Sequence, residues 1–252
     1  AIQGQDNIIY FCDDRYVGSI KENSGSTFVP ATAGTYTYNN QALDLPPFEI
    51  AQCLEEHGIN LLIGGNTYNQ IYPWDRTSDS YNLPLQVPEF GIKRMKNIGG
   101  IVYILAGTWG NIYTTQGSYV RHTKKLPIYL TNNAGAIQSN PITWGGIAAS
   151  NNTLLFGVST TTSGNSGVWR MYLDGRLVID NVPSTGSSNV IGLMVKNDFY
   201  SMGYSGGADN FSSSLYGALL YDNYETVLQS GLYQVATKIE KAIYSRLELV
   251  IA

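Results

Sequence analysis

The chain has 252 residues, of which 43% are hydrophobic and only 13% are charged, roughly half the charged share of an average soluble protein. A formal net charge of −4 and a sequence pI near 5.1 give it no general attraction for phosphate backbones, which argues against a nucleic-acid partner. No apolar run approaches the roughly 18 residues that a membrane-spanning helix needs, so no membrane span is expected.

The composition predicts a chain made mostly of β-strands. Polarity is carried by Asn, Ser, Thr and Gln, together with 27 Gly and 19 Tyr. Aromatic and β-branched residues suit a pleated surface, and Gly and Asn suit tight turns. Long helices would need more Glu, Lys, Ala and Leu than this chain contains.

Five segments share one pattern along the chain, in which an apolar strand is followed by a turn and a second strand rich in Tyr or Trp. The first strands are predicted at 7–13, 59–65, 101–107, 152–158 and 197–203. The second strands are predicted at 34–38, 69–75, 110–115, 167–172 and 215–221. Four first strands place a glycine at a comparable point, within a slip of one residue: Gly64, Gly107, Gly157 and Gly203.

A further strand opens each following unit, at 48–53, 91–95, 142–147 and 190–195, after segments that often end in Pro. Four short antiparallel strands in about 40 to 50 residues are typical of a β-propeller blade. The sequence therefore predicts an all-β propeller of about five four-stranded blades within residues 1–231, or an arc of a larger one. A pair of β-sandwiches is the competing architecture.

The C-terminal segment 232–252 is ambiguous. Ile239, Ile243 and Leu247 fit one face of a helix, whereas 247–251 alternates as a strand does. The segment is expected either to close a blade or to begin a further domain. Because the N-terminus has neither Met nor a signal-peptide pattern and the C-terminus stops in an apolar run, we expect part of a longer or processed polypeptide.

No catalytic group, cofactor motif or metal site is predicted. The carboxylates considered for catalysis are Asp13, Asp14, Glu49, Glu55, Glu56, Asp75, Asp79, Asp198 and Asp209. Most fall at strand ends and in turns, where Asp normally caps the backbone. Glu49 begins an inner strand, so it is the carboxylate that could face a central channel, as a glycoside hydrolase would require.

Other reactive side chains are interpreted as structural. His57 and His122 have no ligand or triad partner at suitable spacing, and are interpreted as surface loop residues. Cys12 and Cys53 lie in strand-like contexts and are interpreted as buried free thiols. The basic run 121–125 is interpreted as solvated loop charge.

Binding is better supported than catalysis. In a propeller, the loops between second and third strands share one face with the links between blades. That face is predicted to carry three partner or glycan contacts, Tyr68, Trp109 and Tyr204, because exposed Trp and Tyr suit sugar stacking and protein contacts. Packing of Trp109 between blades is an equal alternative. The strand residues Trp74, Trp144 and Trp169 are predicted to be core.

Two runs carry a resemblance to a known class of proteins. Residues 71–85 contain a WD-x-x-S-x-S turn before a Pro-ended strand, and residues 101–119 contain an AG-x-x-G-x-x-Y hairpin. Both resemble propeller-like structural proteins of tailed bacteriophages, and 225–235 is similar too. The resemblance covers most of the chain loosely and brings no catalytic residue with it.

The resemblance implies a non-enzymatic virion component of a phage tail or fibre, located in the extracellular particle. It implies a rigid platform within an oligomeric assembly, whose partners are other virion subunits or a protein or glycan receptor on the host cell. A glycan-binding, lectin-like propeller and a glycoside hydrolase are the alternative hypotheses.

Overall fold

The computed structural model describes residues 1–22, 36–127, 129–131, 137–139, 142–150, 152–160, 166–181, 189–196, 199–206 and 210–217. These residues form twenty-one β-strands and no helix. Within the same ranges, nothing has the helical length and apolarity needed to cross a bilayer. The predicted closing segment 232–252 lies outside the described residues.

The strands form six antiparallel sheets, and we number the five larger ones in chain order as blades 1 to 5. Blade 1 contains β1 (Ile2–Gln3), β2 (Ile9–Asp13), β3 (Tyr16–Glu22) and β4 (Tyr36–Asp44), and blade 2 contains β5 (Ala51–His57), β6 (Asn60–Gly65), β7 (Gln70–Trp74) and β8 (Leu85–Gln86). Blade 3 contains β9 (Ile92–Ile98), β10 (Ile101–Ala106), β11 (Asn111–Thr115) and β12 (Val120–Lys125). A two-stranded hairpin, β13 (Tyr129–Thr131) and β14 (Ile137–Ser139), follows. Blade 4 contains β15 (Ile142–Ser150), β16 (Thr153–Thr160), β17 (Gly167–Met171) and β18 (Leu177–Asn181), and blade 5 contains β19 (Asn189–Lys196), β20 (Phe199–Gly206) and β21 (Asn210–Gly217).

The first strands of blades 2 to 5 contact one another. β5 contacts β9, β9 contacts β15, and β15 contacts β19, so these strands are the innermost ones and the later strands of each blade lie outward. Four sheets of four antiparallel strands and a fifth with three described strands confirm the predicted β-propeller.

The apolar core lies between neighbouring blades. Tyr10 of blade 1 packs edge-on against Trp74 of blade 2, with ring centroids 5.8 Å apart, and both belong to one buried cluster. Leu105 of blade 3 and Phe156 of blade 4 belong to another. This packing explains why second strands such as β6 and β10 are apolar on both sides, since blades 2 and 3 each have a neighbouring blade packed on either face.

The propeller has two faces, which we name by their connections. The link face carries the links between blades, such as 45–50 and 87–91, together with the loops between second and third strands. The hairpin face carries the turns between first and second strands and between third and fourth strands. Both names follow from the strand order in the sheets.

The prediction for blade 1 was wrong in one strand. Residues 34–38 were expected to form the second Tyr-rich strand, but Tyr36 to Tyr38 belong to the outermost strand β4. The strand that follows β2 is β3, joined to it by a turn in which Asp14 has φ +53°. β3 was missed because Gly18 interrupts it; a Cβ there would lie 2.2 Å from the ring of Phe11.

The predicted equivalence of the glycines is also wrong at one position. The blades align on the pairs Ile63–Tyr72 and Ile104–Tyr113, which hold the same place in blades 2 and 3. Gly64 directly follows the first of these isoleucines, whereas Gly107 lies two residues further along. A Cβ on Gly64 would lie 2.8 Å from Ile92 of the next blade, so this glycine permits close packing between blades.

Candidate partner-binding surface

Two loops on the link face have the same backbone design. The loop between β6 and β7 ends at Asn69 with φ +48°, and the loop between β10 and β11 ends at Gly110 with φ +78°. Each of these residues accepts a backbone hydrogen bond from the outgoing link, from the N–H of Val87 at 2.8 Å and of Leu126 at 2.9 Å. The two loops are therefore structurally equivalent elements of neighbouring blades.

Tyr68 and Trp109 occupy equivalent positions in these loops. Each residue immediately precedes the left-handed residue that ends its loop. The side chain of Tyr68 is 39% exposed and that of Trp109 is 51% exposed. The structure thus places both predicted contact residues on the predicted face.

A buried carboxylate holds the Tyr68 loop from below. Glu49 is only 1% exposed. Its Oε1 accepts hydrogen bonds from the N–H of Ile50 at 2.9 Å and of Thr67 at 2.7 Å. Its Oε2 accepts from the N–H of Tyr68 at 3.2 Å and from the hydroxyl of Tyr72 at 2.8 Å. Burial, followed by this bond to Glu49, raises the pKa of Tyr72.

Glu49 therefore differs from its prediction. The sequence suggested that it could face the central channel as a hydrolase carboxylate. It instead lies just before β5, out of contact with solvent, with both oxygens engaged in the fold. A carboxylate so far from solvent is stabilised by such donors. We assign it the role of a brace that shapes the loop.

A second carboxylate, Glu89, holds the equivalent place before blade 3, but its hydrogen-bond partners are side chains of β11 instead of loop N–H groups. Oε1 of Glu89 accepts hydrogen bonds from the side-chain amide of Asn111 and from the hydroxyl of Tyr113, the latter at 3.0 Å. Its Oε2 is buried and has no hydrogen-bond partner among the described residues. Gly107 lies against this carboxylate and has φ +61°, so a side chain there would both clash and strain the backbone.

Residues on either side of the β13–β14 hairpin bind the Trp109 loop. Before the hairpin, the N–H of Leu126 donates to the carbonyl of Gly110. After it, the N–H of Ile142, the first residue of β15, donates to the carbonyl of Thr108 at 2.9 Å. The short loop is therefore fixed at both ends by backbone hydrogen bonds. Trp109 is carried on a rigid support.

Two further aromatic side chains are exposed on the same face. Phe48, in the link before blade 2, is 84% exposed, and Phe90, in the link before blade 3, is 72% exposed. We refer to Phe48, Tyr68, Phe90 and Trp109 as the aromatic surface. The sequence reasoning missed Phe48 and Phe90, although each follows closely after a Pro in a blade link, which was a usable signal.

The four tryptophans separate into two groups. Trp74, Trp144 and Trp169 are 3 to 4% exposed, as predicted for core residues. The indole N–H of Trp74 donates to the Ser78 carbonyl at 2.7 Å, and that of Trp144 donates to the Gly107 carbonyl at 3.1 Å. Trp109 is half exposed, and its indole N–H has no hydrogen-bond partner in the described part of the chain. The alternative in which Trp109 packs between blades is therefore wrong.

The third predicted contact, Tyr204, lies in a strand. It belongs to β20 and pairs with Ser214 of β21, rather than lying in the loop that follows. The strand order predicted from the sequence also puts the loop 160–165 on this face, and its residues 161–165 lie outside the described residues. The aromatic surface is therefore defined on blades 2 and 3.

The remaining carboxylates near the inner strands form ion pairs. Glu55 is 6% exposed, and burial raises its pKa, although the ammonium group of Lys96 lies 3.1 Å from it. Glu56 accepts a 2.7 Å hydrogen bond from Arg76, which itself is nearly buried and has φ +70°. These contacts join blade 2 to blade 3 and fix the 75–84 loop to the end of β5.

Asp75 starts a turn, as the sequence predicted. Its Oδ1 accepts from the N–H groups of Thr77 and Ser78, both at 2.8 Å, and its Oδ2 accepts from the Ser78 hydroxyl at 2.7 Å. The hydrogen bonds from Ser78, and then the one from Thr77, lower the pKa of Asp75 to about 2. The WD-x-x-S-x-S motif is thus a self-contained turn.

The remaining candidate carboxylates and the two histidines lie on strands and in turns, or outside the described residues. Asp13 ends β2, and Asp14 and Asp79 are exposed in turns. Asp198 and Asp209 lie outside the described residues. His57 and His122 lie on β5 and β12 rather than in loops, and no cluster of metal-ligating side chains occurs among the described residues.

The two cysteines are free thiols, as expected. Both are partly buried against the cores between blades. Burial raises the pKa of Cys12 to about 11, and it raises that of Cys53 further. Neither thiol is poised to react at neutral pH.

Comparison with known proteins identifies the fold. No protein-family model matches the sequence, and no curated protein matches it. A catalytically inactive virginiamycin B lyase from Staphylococcus aureus, solved with quinupristin, is 12% identical with a TM-score of 0.57, over 86% of this chain and 67% of the other. A streptogramin B lyase is 15% identical with a TM-score of 0.55, over 87% and 67% of the two chains.

A chain of a nidogen–laminin complex is 8% identical with a TM-score of 0.54, over 77% of this chain and 69% of that one. These neighbours are β-propeller proteins, and the present chain spans about two thirds of their length. At such low identity the likeness shows the fold alone.

Proposed function

We propose that the chain is a non-enzymatic structural protein of a virion, in the tail or fibre of a tailed bacteriophage. In this proposal the propeller is a rigid platform, and its link face binds other virion subunits or a receptor on the host cell. The observation that carries the proposal is the aromatic surface, above all Trp109, which is 51% exposed on a loop fixed at both ends.

Exposed aromatic residues on a fixed backbone suit protein recognition. Trp and Tyr dominate binding energy at interfaces, because they bury a large area and have few rotatable bonds. A preformed surface also loses little conformational freedom when a partner binds. Glu49 supplies that rigidity for the Tyr68 loop, and the backbone hydrogen bonds at Thr108 and Gly110 supply it for the Trp109 loop.

Two further observations support the remaining parts of the proposal. The turn at 74–80 and the hairpin at 101–119 resemble phage tail proteins, which supports the virion location. Glu49, Glu55, Glu56 and Asp75 each serve a loop, an ion pair or a turn, which supports a role without catalysis.

The location is tested by immunogold electron microscopy of phage particles released from the source culture, with an antibody raised against the purified chain. Gold at the tail or its fibres is the expected result. Label confined to the cell lysate, with unlabelled particles, would contradict the proposal.

The surface is tested by complementing a phage that lacks the gene. Trp109→Ala is expected to reduce assembled or adsorbing particles by about 10-fold or more, the loss typical of one central aromatic contact. The matched control is Leu83→Ala, because Leu83 is 86% exposed on the opposite face. Equal behaviour of the two variants would remove the link face from the proposal.

A glycan-binding, lectin-like propeller is the second candidate. It is favoured by the free indole N–H of Trp109, since an exposed Trp can stack on a sugar ring and donate a hydrogen bond. A glycan array on the wild type and Trp109→Ala separates the candidates. Signal lost in the variant supports the lectin, and no wild-type signal on any glycan excludes it.

A further inference from the structure

The hairpin face of blade 3 contains a small, partly open polar cavity. It lies at the turn between β11 and β12 and has a volume of about 130 Å³. The lining residues are Thr114, Thr115, Gln116, Ser118, Tyr119 and Arg121. They supply one cation, hydroxyl groups, an amide and an aromatic ring, and no carboxylate.

Arg121 provides an unused guanidinium. It lies on the outermost strand β12, opposite Thr114 in the strand ladder, and it is exposed. It forms no ion pair and no hydrogen bond with any other described residue. Because the guanidinium presents a planar set of donors, it suits the two oxygens of a carboxylate.

The surrounding charge on β12 favours an anion. The run 121–125 was interpreted as loop charge, but it forms this edge strand, which adds His122, Lys124 and Lys125 to Arg121. The strand is therefore a local basic feature in a chain whose formal net charge is −4. Such a local excess of cations raises the concentration of an anionic ligand at the cavity.

The neutral polar groups match a ligand rich in hydroxyls. Thr115 is 3% exposed, and its Oγ1 accepts a 3.0 Å hydrogen bond from the N–H of Gly117, which leaves its own proton to donate. Gln116 and Ser118 are exposed beside it and make no side-chain hydrogen bond to other described residues. Hydroxyl and amide groups both donate and accept, as sugar hydroxyls do.

The ring of Tyr119 gives the cavity an apolar wall. It is 63% exposed, so a ligand can lie against it. The volume corresponds to about four water molecules at roughly 30 Å³ each, and it is below the range of sites for drug-sized ligands. The cavity thus suits the carboxylate of an acidic sugar, with the sugar ring lying at its open side against the exposed ring of Tyr119.

We propose that this cavity binds the acidic sugar of a glycan, with Arg121 on the carboxylate of a uronic or sialic acid. Thr115, Gln116 and Ser118 bind the hydroxyl groups of that sugar, and Tyr119 packs on its ring. The site lies on the face opposite the aromatic surface, so it does not depend on the function proposed for the link face.

The test is a titration of the full chain with free N-acetylneuraminic acid, glucuronic acid and glucose, followed by saturation-transfer NMR and calorimetry. At least one acid is expected to bind saturably at millimolar concentration. The affinity for glucose is expected to be at least about 10-fold lower, because glucose lacks the carboxylate that Arg121 pairs with.

Three variants localise the binding. Arg121→Gln is expected to weaken acid binding by about 10-fold or more, and Arg121→Lys by less, because it keeps the charge and loses the planar fork. Lys125→Gln removes the same charge from the same strand outside the cavity, so it is expected to change the affinity by less than about 2-fold. Arg121 and Lys125 are both exposed, and circular dichroism checks that the three variants fold.

Three results would overturn the assignment. They are the absence of saturable binding by either acid, equal binding of glucose, and equal losses in Arg121→Gln and Lys125→Gln. Binding of sulfate or phosphate as tight as that of the acids would also overturn it, because it would leave a bare oxyanion site with no recognition of the sugar.

Discussion

The Tyr68 loop and the Trp109 loop share a scaffold but use their aromatic residues differently. Tyr68 is tied to the fold at two points, through its N–H to Glu49 and through its hydroxyl to the Pro47 carbonyl at 2.9 Å. Trp109 has no such tie, and its indole N–H is without a partner in the described structure. Both side chains are exposed, but in blade 2 the aromatic residue is hydrogen-bonded to the fold and in blade 3 it is not bonded to any described residue.

The same contrast appears in the carboxylates beneath the loops. Glu49 has both oxygens satisfied, whereas Glu89 has one satisfied and one buried without a described partner. The carboxylate that binds the Tyr68 loop is therefore fully satisfied. The equivalent carboxylate of blade 3 keeps one buried oxygen without a described partner, which is a local energetic cost.

The largest expected difference between the two loops comes from replacing the two carboxylates by their amides. Glu49→Gln puts an NH₂ group against backbone N–H and hydroxyl donors, so we expect the free energy of unfolding to fall by about 2–4 kcal/mol. Glu89→Gln can keep its acceptor toward Asn111 and Tyr113 and removes a buried negative charge, so we expect a loss below about 1 kcal/mol.

Urea denaturation of both variants, followed by tryptophan fluorescence, measures the difference. The two substitutions are isosteric and lie in equivalent places, so each serves as the control for the other. Losses of equal size would show that the two carboxylates contribute equally to the free energy of unfolding, which would contradict the contrast drawn between them.

The blades could be predicted from the sequence, but the hydrogen bonds of the buried carboxylates could not. Apolar strands followed by Tyr- or Trp-rich strands located β6, β7, β10 and β11, because burial on both faces of the sheet leaves a continuous apolar run. Tyr68 and Trp109 could be placed on the link face from strand order alone. The exposed fraction of their side chains could not be predicted, since it depends on contacts with other links.

The role of Glu49 was hidden for a related reason. Its partners at Thr67 and Tyr72 lie far along the chain, and they meet it only because the blade folds back on itself. The local sequence shows only a carboxylate at the start of an inner strand, which is a position that could face the channel. β3 was missed because Gly18 breaks its apolar pattern, although close packing with Phe11 requires that glycine.

A smaller effect is expected from Tyr68→Phe. The variant loses the hydrogen bond from the hydroxyl to the Pro47 carbonyl and keeps the backbone bond to Glu49, so unfolding should become easier by about 0.5–1 kcal/mol. Urea midpoints at an unchanged slope measure it. A change indistinguishable from zero would mean that the hydroxyl is not a tie, and that Tyr68 is as available to a partner as Trp109.

The smallest effect on stability is expected from Trp109→Ala. Because the side chain is half exposed and makes no hydrogen bond to the described residues, its removal should change the free energy of unfolding by less than about 0.5 kcal/mol. Trp144→Ala is the control, since burial at 4% predicts a loss of about 3–5 kcal/mol. A large loss in Trp109→Ala would make this residue part of the fold and erase the difference between the loops. A small loss would show that the propeller does not need this side chain for its own stability. Trp109 would then be a large exposed aromatic residue on a loop that backbone hydrogen bonds hold in place.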